Sequence, residues 1–114
     1  MDKFKHFLEA QGQVYPQVIK ELKDGHKKTH WMWFVFPQLK GLGTSPMSVR
    51  YAIEDKEHAR EYWDHPILGH HLRECLYLVE NNKKTPEQIF GPVDFMKYQS
   101  CKELFSQFTG RNDE

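Results

Sequence analysis

The segment HWMWFVFPQLKGLGTSPMS, residues 30–48, decides the fold of this chain. Its first seven residues include two Trp and two Phe, and periodicity cannot distinguish a buried helix from a buried strand in so short an apolar run. A strand would need a second strand to pair its backbone groups, and the sequence contains no second convincing run of strand-forming residues. We therefore predict a short, fully buried helix that begins at His30 under a Thr29 cap and is ended at Phe36 by Pro37.

The remaining apolar residues recur at helical spacing along most of the chain. The stripes over 4–11 and 14–22 predict two helices, or one kinked helix, ending at Gly25. Further helix starts are signalled by a capping residue, a proline or both at Ser45-Pro46, Asp55, His65-Pro66 and Thr85-Pro86-Glu87-Gln88. The last apolar stripe ends at Gly110. These patterns predict an all-α fold, a compact single-domain bundle of about six to seven short helices over residues 1–114.

The composition excludes several classes of protein. Because 16 Lys and Arg residues balance 16 Asp and Glu residues, the basic surplus of a nucleic-acid-binding domain is missing and we expect no nucleic-acid partner. No apolar run approaches the roughly 18 residues of a membrane span, and the N-terminus has no signal-peptide core. Cys75 and Cys101 lie in apolar stripes, which is typical of reduced core residues. We predict a cytoplasmic location without membrane association.

Neither a metal nor a cofactor is expected. His26 and His30 are four residues apart, but no single helix joins them. His70 and Glu74 would share a helix face, yet they supply only two ligands. The glycine-rich loop 41–45 precedes a helix start, where its amides could bind an anion. It lacks the preceding strand and the following lysine of a phosphate-binding loop, so it also fits a plain tight connection.

Polar side chains within and beside the aromatic run indicate a candidate site. Polar groups in so apolar a region must pair with each other, with the backbone or with a ligand, and an apolar pocket with a few polar groups is typical of small-molecule sites. We predict a pocket around residues 30–51 for a small polar or anionic metabolite. Trp31 or Trp33 would form its apolar wall, and Arg50 or Lys97 would supply charge. The candidate ligand-binding residues are His30, Trp31, Trp33, Gln38, Ser45, Ser48, Arg50, Tyr51, His65 and Lys97.

Two other hypotheses remain open at this stage. The aromatic segment 30–39 could be an interaction surface without catalytic activity, covered by a partner protein or by a second copy in a homo-oligomer. Alternatively, the whole segment could be structural. Whether the protein is an enzyme is also open, and His30 and His65 would be its acid–base groups because histidine titrates near neutral pH. Convergence of the polar groups on a concave site would distinguish the pocket from an exposed apolar patch.

Three segments of the chain resemble the bacterial domain of unknown function 1810 family. They are HWMWFVFPQLKGLGTSPMSVRYAI, YWDHPILGHHLREC and IFGPVDFMKYQSCKELF. The resemblance implies a compact, all-helical fold and no established activity. This chain differs at His71, where the family more often has arginine, and at Cys101, where serine is frequent. Relatives also continue beyond Phe108 into another helix that this chain would lack.

Members of this family are sometimes labelled calpastatin, a description that the composition contradicts. A calpastatin-type inhibitor is largely disordered and folds on its protease. This chain is 14% aromatic and carries several amphipathic stripes, so it can bury a core by itself.

Overall fold

The computed structural model describes residues 3–108 and is all-α over that range, as predicted. A single parallel bridge between Leu39 and Ile53 is the only β-type pairing in this range. The helices are α1 (Lys5–Asp24), α2 (Met32–Val35), α3 (Pro46–Arg50), α4 (Lys56–Asp64), α5 (Leu68–Glu80) and α6 (Pro86–Ser106). The predicted helix end at Gly110 and the prediction of a missing C-terminal helix lie outside the described residues.

The two N-terminal stripes form one helix, α1, which resolves the alternatives left by the sequence. Gly12 and Pro16 both lie on its exposed side, so neither interrupts the buried face. That face carries Phe7 and Leu22 into the core. The helix ends at Gly25, whose φ of 73° is in the left-handed region that favours glycine.

Gln11 is a polar residue on the buried face of α1 and is fully engaged there. Its Nε2 donates to the carbonyl oxygen of Phe34 at 2.6 Å and to the hydroxyl of Tyr62 at 3.0 Å. Its Oε1 lies 2.7 Å from Nδ1 of His71. One amide therefore joins α1 to α2, α4 and α5, which shows how the core accommodates a polar side chain.

The aromatic run forms α2, but two details of the prediction are wrong. The helix begins at Met32, two residues after His30, and Thr29 does not cap it. Thr29 instead donates its hydroxyl and its amide to the carboxylate of Glu21, at 2.7 and 3.2 Å. The segment is also not fully buried, because Trp33 remains partly exposed. The helix ends at Val35 with Phe36 as its C-cap, so it stops before Pro37, as predicted.

Three of the other four predicted helix starts are confirmed by their hydrogen bonds, whereas the start predicted at His65-Pro66 is too early, because α5 begins at Leu68. The side chains of Ser45 and Asp55 accept the amides of Ser48 and His58, respectively. Thr85 and Gln88 form the reciprocal capping box. The sequence did not predict the kink in α6 at Gly91, where φ is 82°.

The core is a continuous cluster of aromatic and aliphatic side chains between α1, α4, α5 and α6. The ring of Tyr62 lies 5.2 Å from that of Phe7 and 5.6 Å from that of Phe105, measured between centroids. Cys75 and Cys101 are free thiols buried in this core, as predicted. Within residues 3–108, no helix has both the length and the apolar character needed to cross a bilayer.

The close approach of α4 and α5 at Gly69 gives a first testable prediction. A Cβ at this position would overlap the carbonyl oxygen of Trp63, which is backbone and cannot rotate away. We therefore expect Gly69→Ala to lower the free energy of unfolding by about 1–3 kcal/mol, measured by urea denaturation. Gly12→Ala is the control, because open space surrounds Gly12, and it should stabilise α1 by about 0.5–1 kcal/mol. Equal effects of the two substitutions would contradict this account.

Candidate functional site

Trp31 belongs to a closed hydrogen-bonded cluster centred on Glu21. The indole Nε1 donates to Glu21 Oε1 at 3.0 Å, and the amide of Lys28 donates to the same oxygen at 2.8 Å. Burial tends to raise the pKa of Glu21, but the hydrogen bonds from Lys28, Gln17 and Thr29 outweigh it and lower the pKa to about 2. The carboxylate is therefore charged, and its hydrogen bonds come from within the chain. Trp31 supplies one of them.

His30 and Lys97 lie in different surroundings. His30 is exposed and has no hydrogen bond or ion pair with the rest of residues 3–108. Lys97 Nζ lies 4.7 Å from the ring centroid of Trp33 and 3.2 Å from Oδ1 of Asp94. Asp94 is also paired with the buried ammonium of Lys27, at 2.9 Å. The charge of Lys97 is thus used in joining α2 to α6.

Four of the predicted residues, Trp33, Gln38, Ser48 and Tyr51, do come together, but around very little space. The crevice between them has a volume of about 10 Å³, barely room for one water molecule and too small for a metabolite. Ser45 Oγ lies 2.9 Å from Ser48 Oγ, within the helix cap. The loop that precedes α3 is therefore closed by its own contacts.

His65 holds the start of α5. Its Nδ1 accepts the amides of Ile67 and Leu68, at 3.1 and 3.2 Å. The ring packs edge-on against Phe4, with centroids 5.5 Å apart. The predicted acid–base role of His65 therefore competes with a structural one.

Arg50 lines a much larger cavity between the start of α1 and the segment that joins α3 to α4. Its volume is about 460 Å³. We call it the Arg50 groove, and its polar lining consists of Lys3, His6, Arg50, Glu54, Asp55, Glu57 and His58. An opening of about 320 Å³ shares His6 and Arg50 with the groove and adds Tyr51. Among the predicted site residues, Arg50 and Tyr51 are thus the two associated with this concave surface.

Tyr51 organises the basic side of the groove. The His6 ring stacks on the Tyr51 ring, with centroids 5.5 Å apart and an angle of 16° between the planes. The Arg50 guanidinium lies 5.6 Å from the same ring centroid, and its Nε donates to the Tyr51 hydroxyl at 3.4 Å. No carboxylate within residues 3–108 forms an ion pair with Arg50. Its charge therefore remains available at the mouth of the groove.

His58 lines the groove but is largely enclosed, with 8% of its surface exposed. Its Nδ1 accepts the amide of Glu54 at 2.9 Å, so the neutral ring carries its proton on Nε2. Burial lowers the pKa of His58, and the nearby charge of Lys3 lowers it further. Among the described residues, Nε2 is buried and has no hydrogen-bond partner.

Sequence reasoning missed Lys3, His6, Glu57 and His58. Only His58 carried a signal, because it lies four residues before Tyr62 on the apolar face of α4. A polar residue at such a position needs a partner, just as the polar groups beside the aromatic run do. His6 and Lys3 flank buried phenylalanines at the start of α1 and have no comparable signal.

A second cavity lies at the other end of α4 and has a volume of about 420 Å³. We call it the aromatic cleft, and its lining includes Trp63, Arg73, Tyr77, Glu80, Lys102 and Phe108. Its charged groups are engaged by neighbouring atoms. Lys102 pairs with Glu80 at 3.2 Å, and Arg73 donates to the carbonyl oxygen of Trp63 at 3.1 Å.

Within residues 3–108, no three His, Cys, Asp or Glu side chains are grouped so that they could hold a metal ion. Glu74, which the sequence places on one face with His70, accepts the hydroxyl of Tyr15 at 2.6 Å.

Comparison with known proteins identifies the family of the chain. The family model described as protein of unknown function (DUF1810) matches residues 1–114. A similar solved structure is the crystal structure of the conserved hypothetical protein Rv1873 from Mycobacterium tuberculosis. Its sequence is 49% identical to this chain, and the two structures superpose with a TM-score of 0.88. The match covers 90% of this chain and 74% of that one. A comparison with curated proteins found no significant match. The chain therefore belongs to the DUF1810 family of proteins of unknown function.

Proposed function

We propose that the protein is a cytoplasmic binding domain for a small metabolite that carries a carboxylate or a phosphate. The Arg50 groove is the proposed binding site. The observation that carries the proposal is the guanidinium of Arg50, which has no carboxylate partner in residues 3–108 and lines a cavity of about 460 Å³. Ligand pockets commonly have volumes of about 300–1,000 Å³, and arginine binds carboxylates and phosphates through two parallel hydrogen bonds.

The choice of the Arg50 groove over the aromatic cleft depends on how their polar groups are used. In the aromatic cleft, Lys102 pairs with Glu80 and Arg73 donates to a backbone carbonyl. In the Arg50 groove, the partners of the Arg50 guanidinium among residues 3–108 are the face and the hydroxyl of Tyr51. A ligand anion there would gain a charge-assisted hydrogen bond without breaking an existing ion pair.

The alternative function, an interaction surface formed by segment 30–39, has less support. Trp31, Phe34 and Phe36 are buried within the chain, and Trp33 is half-buried. A partner protein would therefore find little of this aromatic surface accessible. The proposal includes no reaction, because neither His30 nor His65 is part of the described lining of the Arg50 groove.

The test is a thermal-shift screen of nucleotides, sugar phosphates and organic acids, followed by calorimetry on each compound that stabilises the protein. We expect Arg50→Ala to weaken binding at least tenfold, the loss of about one charged hydrogen bond, with little change in the free energy of unfolding. Arg73→Ala is the matched control, because Arg73 also lies over an aromatic ring and lines the other cavity. Weaker binding in Arg73→Ala alone, or no stabilising compound, would contradict the proposal.

A further inference from the structure

The charges that line the Arg50 groove do not balance. Two cations, Lys3 and Arg50, face three carboxylates, those of Glu54, Asp55 and Glu57. Burial lowers the pKa of His58, which favours its neutral form. The two histidines aside, the lining has a formal charge of −1. A ligand that carries a positive group beside its anion therefore fits this lining better than a ligand that carries only negative charge.

Most of these charges already have a partner. Lys3 pairs with Glu61 at 2.7 Å, and Glu54 pairs with Lys40 at 3.4 Å. The carboxylate of Asp55 accepts the amide of His58 at 2.8 Å. Arg50 is then the one lining cation without an ion pair in residues 3–108. Asp55 and Glu57 both lack an ion pair in that range, but Asp55 caps α4. Glu57 is therefore the lining carboxylate that has neither an ion pair nor a hydrogen bond within the described residues.

Arg50 and Glu57 line the same cavity, yet they are not paired with each other. A ligand with charges of both signs could satisfy both at once. Both side chains are exposed, so a ligand in the groove could reach them.

We infer that the ligand of the Arg50 groove is a zwitterion of the amino-acid type. Its carboxylate binds the guanidinium of Arg50, and its ammonium group faces the carboxylate of Glu57. This inference rests on the proposed function, because it specifies the chemical class of the ligand at the same site. The proposed function requires only a carboxylate or a phosphate on the ligand. The inference also requires a positive group.

Glu57 also has a structural role that the experiment must separate from binding. It lies in the first turn of α4, where a negative charge favours the helix terminus. Glu87 occupies the first turn of α6 in the same way. Glu87→Gln is therefore the matched control for Glu57→Gln, because both remove a carboxylate from the start of a helix and only Glu57 lines the groove.

The experiment measures binding by calorimetry to the twenty common amino acids and to the N-acetyl derivative of each amino acid that binds. N-acetylation removes the ammonium charge and keeps the carboxylate. We expect at least one amino acid to bind, and both its acetylation and Glu57→Gln to weaken binding at least tenfold. In Glu57→Gln, acetylation should make little further difference, because the two changes remove the same contact. Glu87→Gln should bind like the parent.

The outcomes separate this inference from the proposed function. If organic acids or phosphates bind through Arg50, while acetylation and Glu57→Gln have no effect, the zwitterion inference is wrong and the proposed function stands. If amino acids bind equally well to Arg50→Ala, both are wrong. If neither amino acids nor simple anions bind the parent protein, both are likewise overturned.

Discussion

Glu21→Gln is expected to lower the free energy of unfolding by about 3 kcal/mol at pH 7. The carboxylate is 1% exposed and accepts hydrogen bonds from the amides of Lys28 and Thr29 and from the indole of Trp31. An amide at this position would replace one acceptor oxygen by a donor that faces other donors. Hydrogen bonds to a charged group contribute about 1.5–3 kcal/mol each, so the loss of two or more cannot be compensated by the smaller desolvation cost of glutamine.

The same carboxylate predicts how stability changes with pH. The folded pKa of Glu21 is about 2, against an ordinary value of 4.5, so the folded state favours the charged form. Its contribution is complete above pH 4.5 and is lost as the pH falls from 4.5 through 2. The difference between the two pKa values corresponds to about 3 kcal/mol, similar to the expected effect of the substitution. The difference in the free energy of unfolding between the parent protein and Glu21→Gln should therefore decrease as the pH falls across this range.

Denaturant unfolding of the two proteins at pH 7, 4 and 2.5 measures this effect. Glu9→Gln is the control, because Glu9 is an exposed carboxylate on the same helix and its loss should change stability by less than about 0.5 kcal/mol. A Glu21→Gln variant as stable as the control at pH 7 would show that the hydrogen bonds around Glu21 do not hold the segment between α1 and α2.

This cluster also explains why the capping signal at Thr29 failed where those at three other helix starts succeeded. The side chains of Ser45, Asp55 and Thr85 each accept the backbone amide three residues later in the chain. The capping residue and its partner therefore both lie within a short stretch of sequence. Thr29 resembles such a cap, but its partner is Glu21, eight residues earlier and on another element. The carboxylate already provides the acceptor for the Thr29 amide and hydroxyl. A local pattern cannot reveal that competition.

The candidate site was less predictable than the fold for the same physical reason. Arg50 was among the predicted residues because it follows the aromatic run, whose apolar character is visible in the sequence. Its neighbours in the groove come from the start of α1 and from α4, namely His6 and His58. Their proximity depends on how three helices pack. Meanwhile Trp31, one of the two residues predicted to form the pocket wall, is buried in the core.

Phe36→Ala is expected to have the largest effect on stability, lowering the free energy of unfolding by about 3–5 kcal/mol. The ring is 0% exposed, and its removal would leave a cavity lined by other aromatic rings. Its centroid lies 5.6 Å from that of Phe90 and 5.5 Å from that of Tyr98, both in edge-on geometry. These contacts attach α2 to both halves of the kinked helix α6, so the loss includes aromatic pair interactions as well as buried area.

Phe36→Leu separates the contribution of volume from that of the ring. Leucine keeps most of the apolar volume but forms no edge-on aromatic pairs, so we expect a smaller loss than that of Phe36→Ala, about 1–2 kcal/mol. The measurement is denaturant unfolding of both variants beside the parent protein, with the groove variant Arg50→Ala for comparison. If Phe36→Ala were no less stable than Arg50→Ala, the aromatic run would not be the core element that its burial indicates. The expected order, with Phe36→Ala far less stable than Arg50→Ala, would assign the aromatic run to the core and would agree with a small contribution of Arg50 to folding.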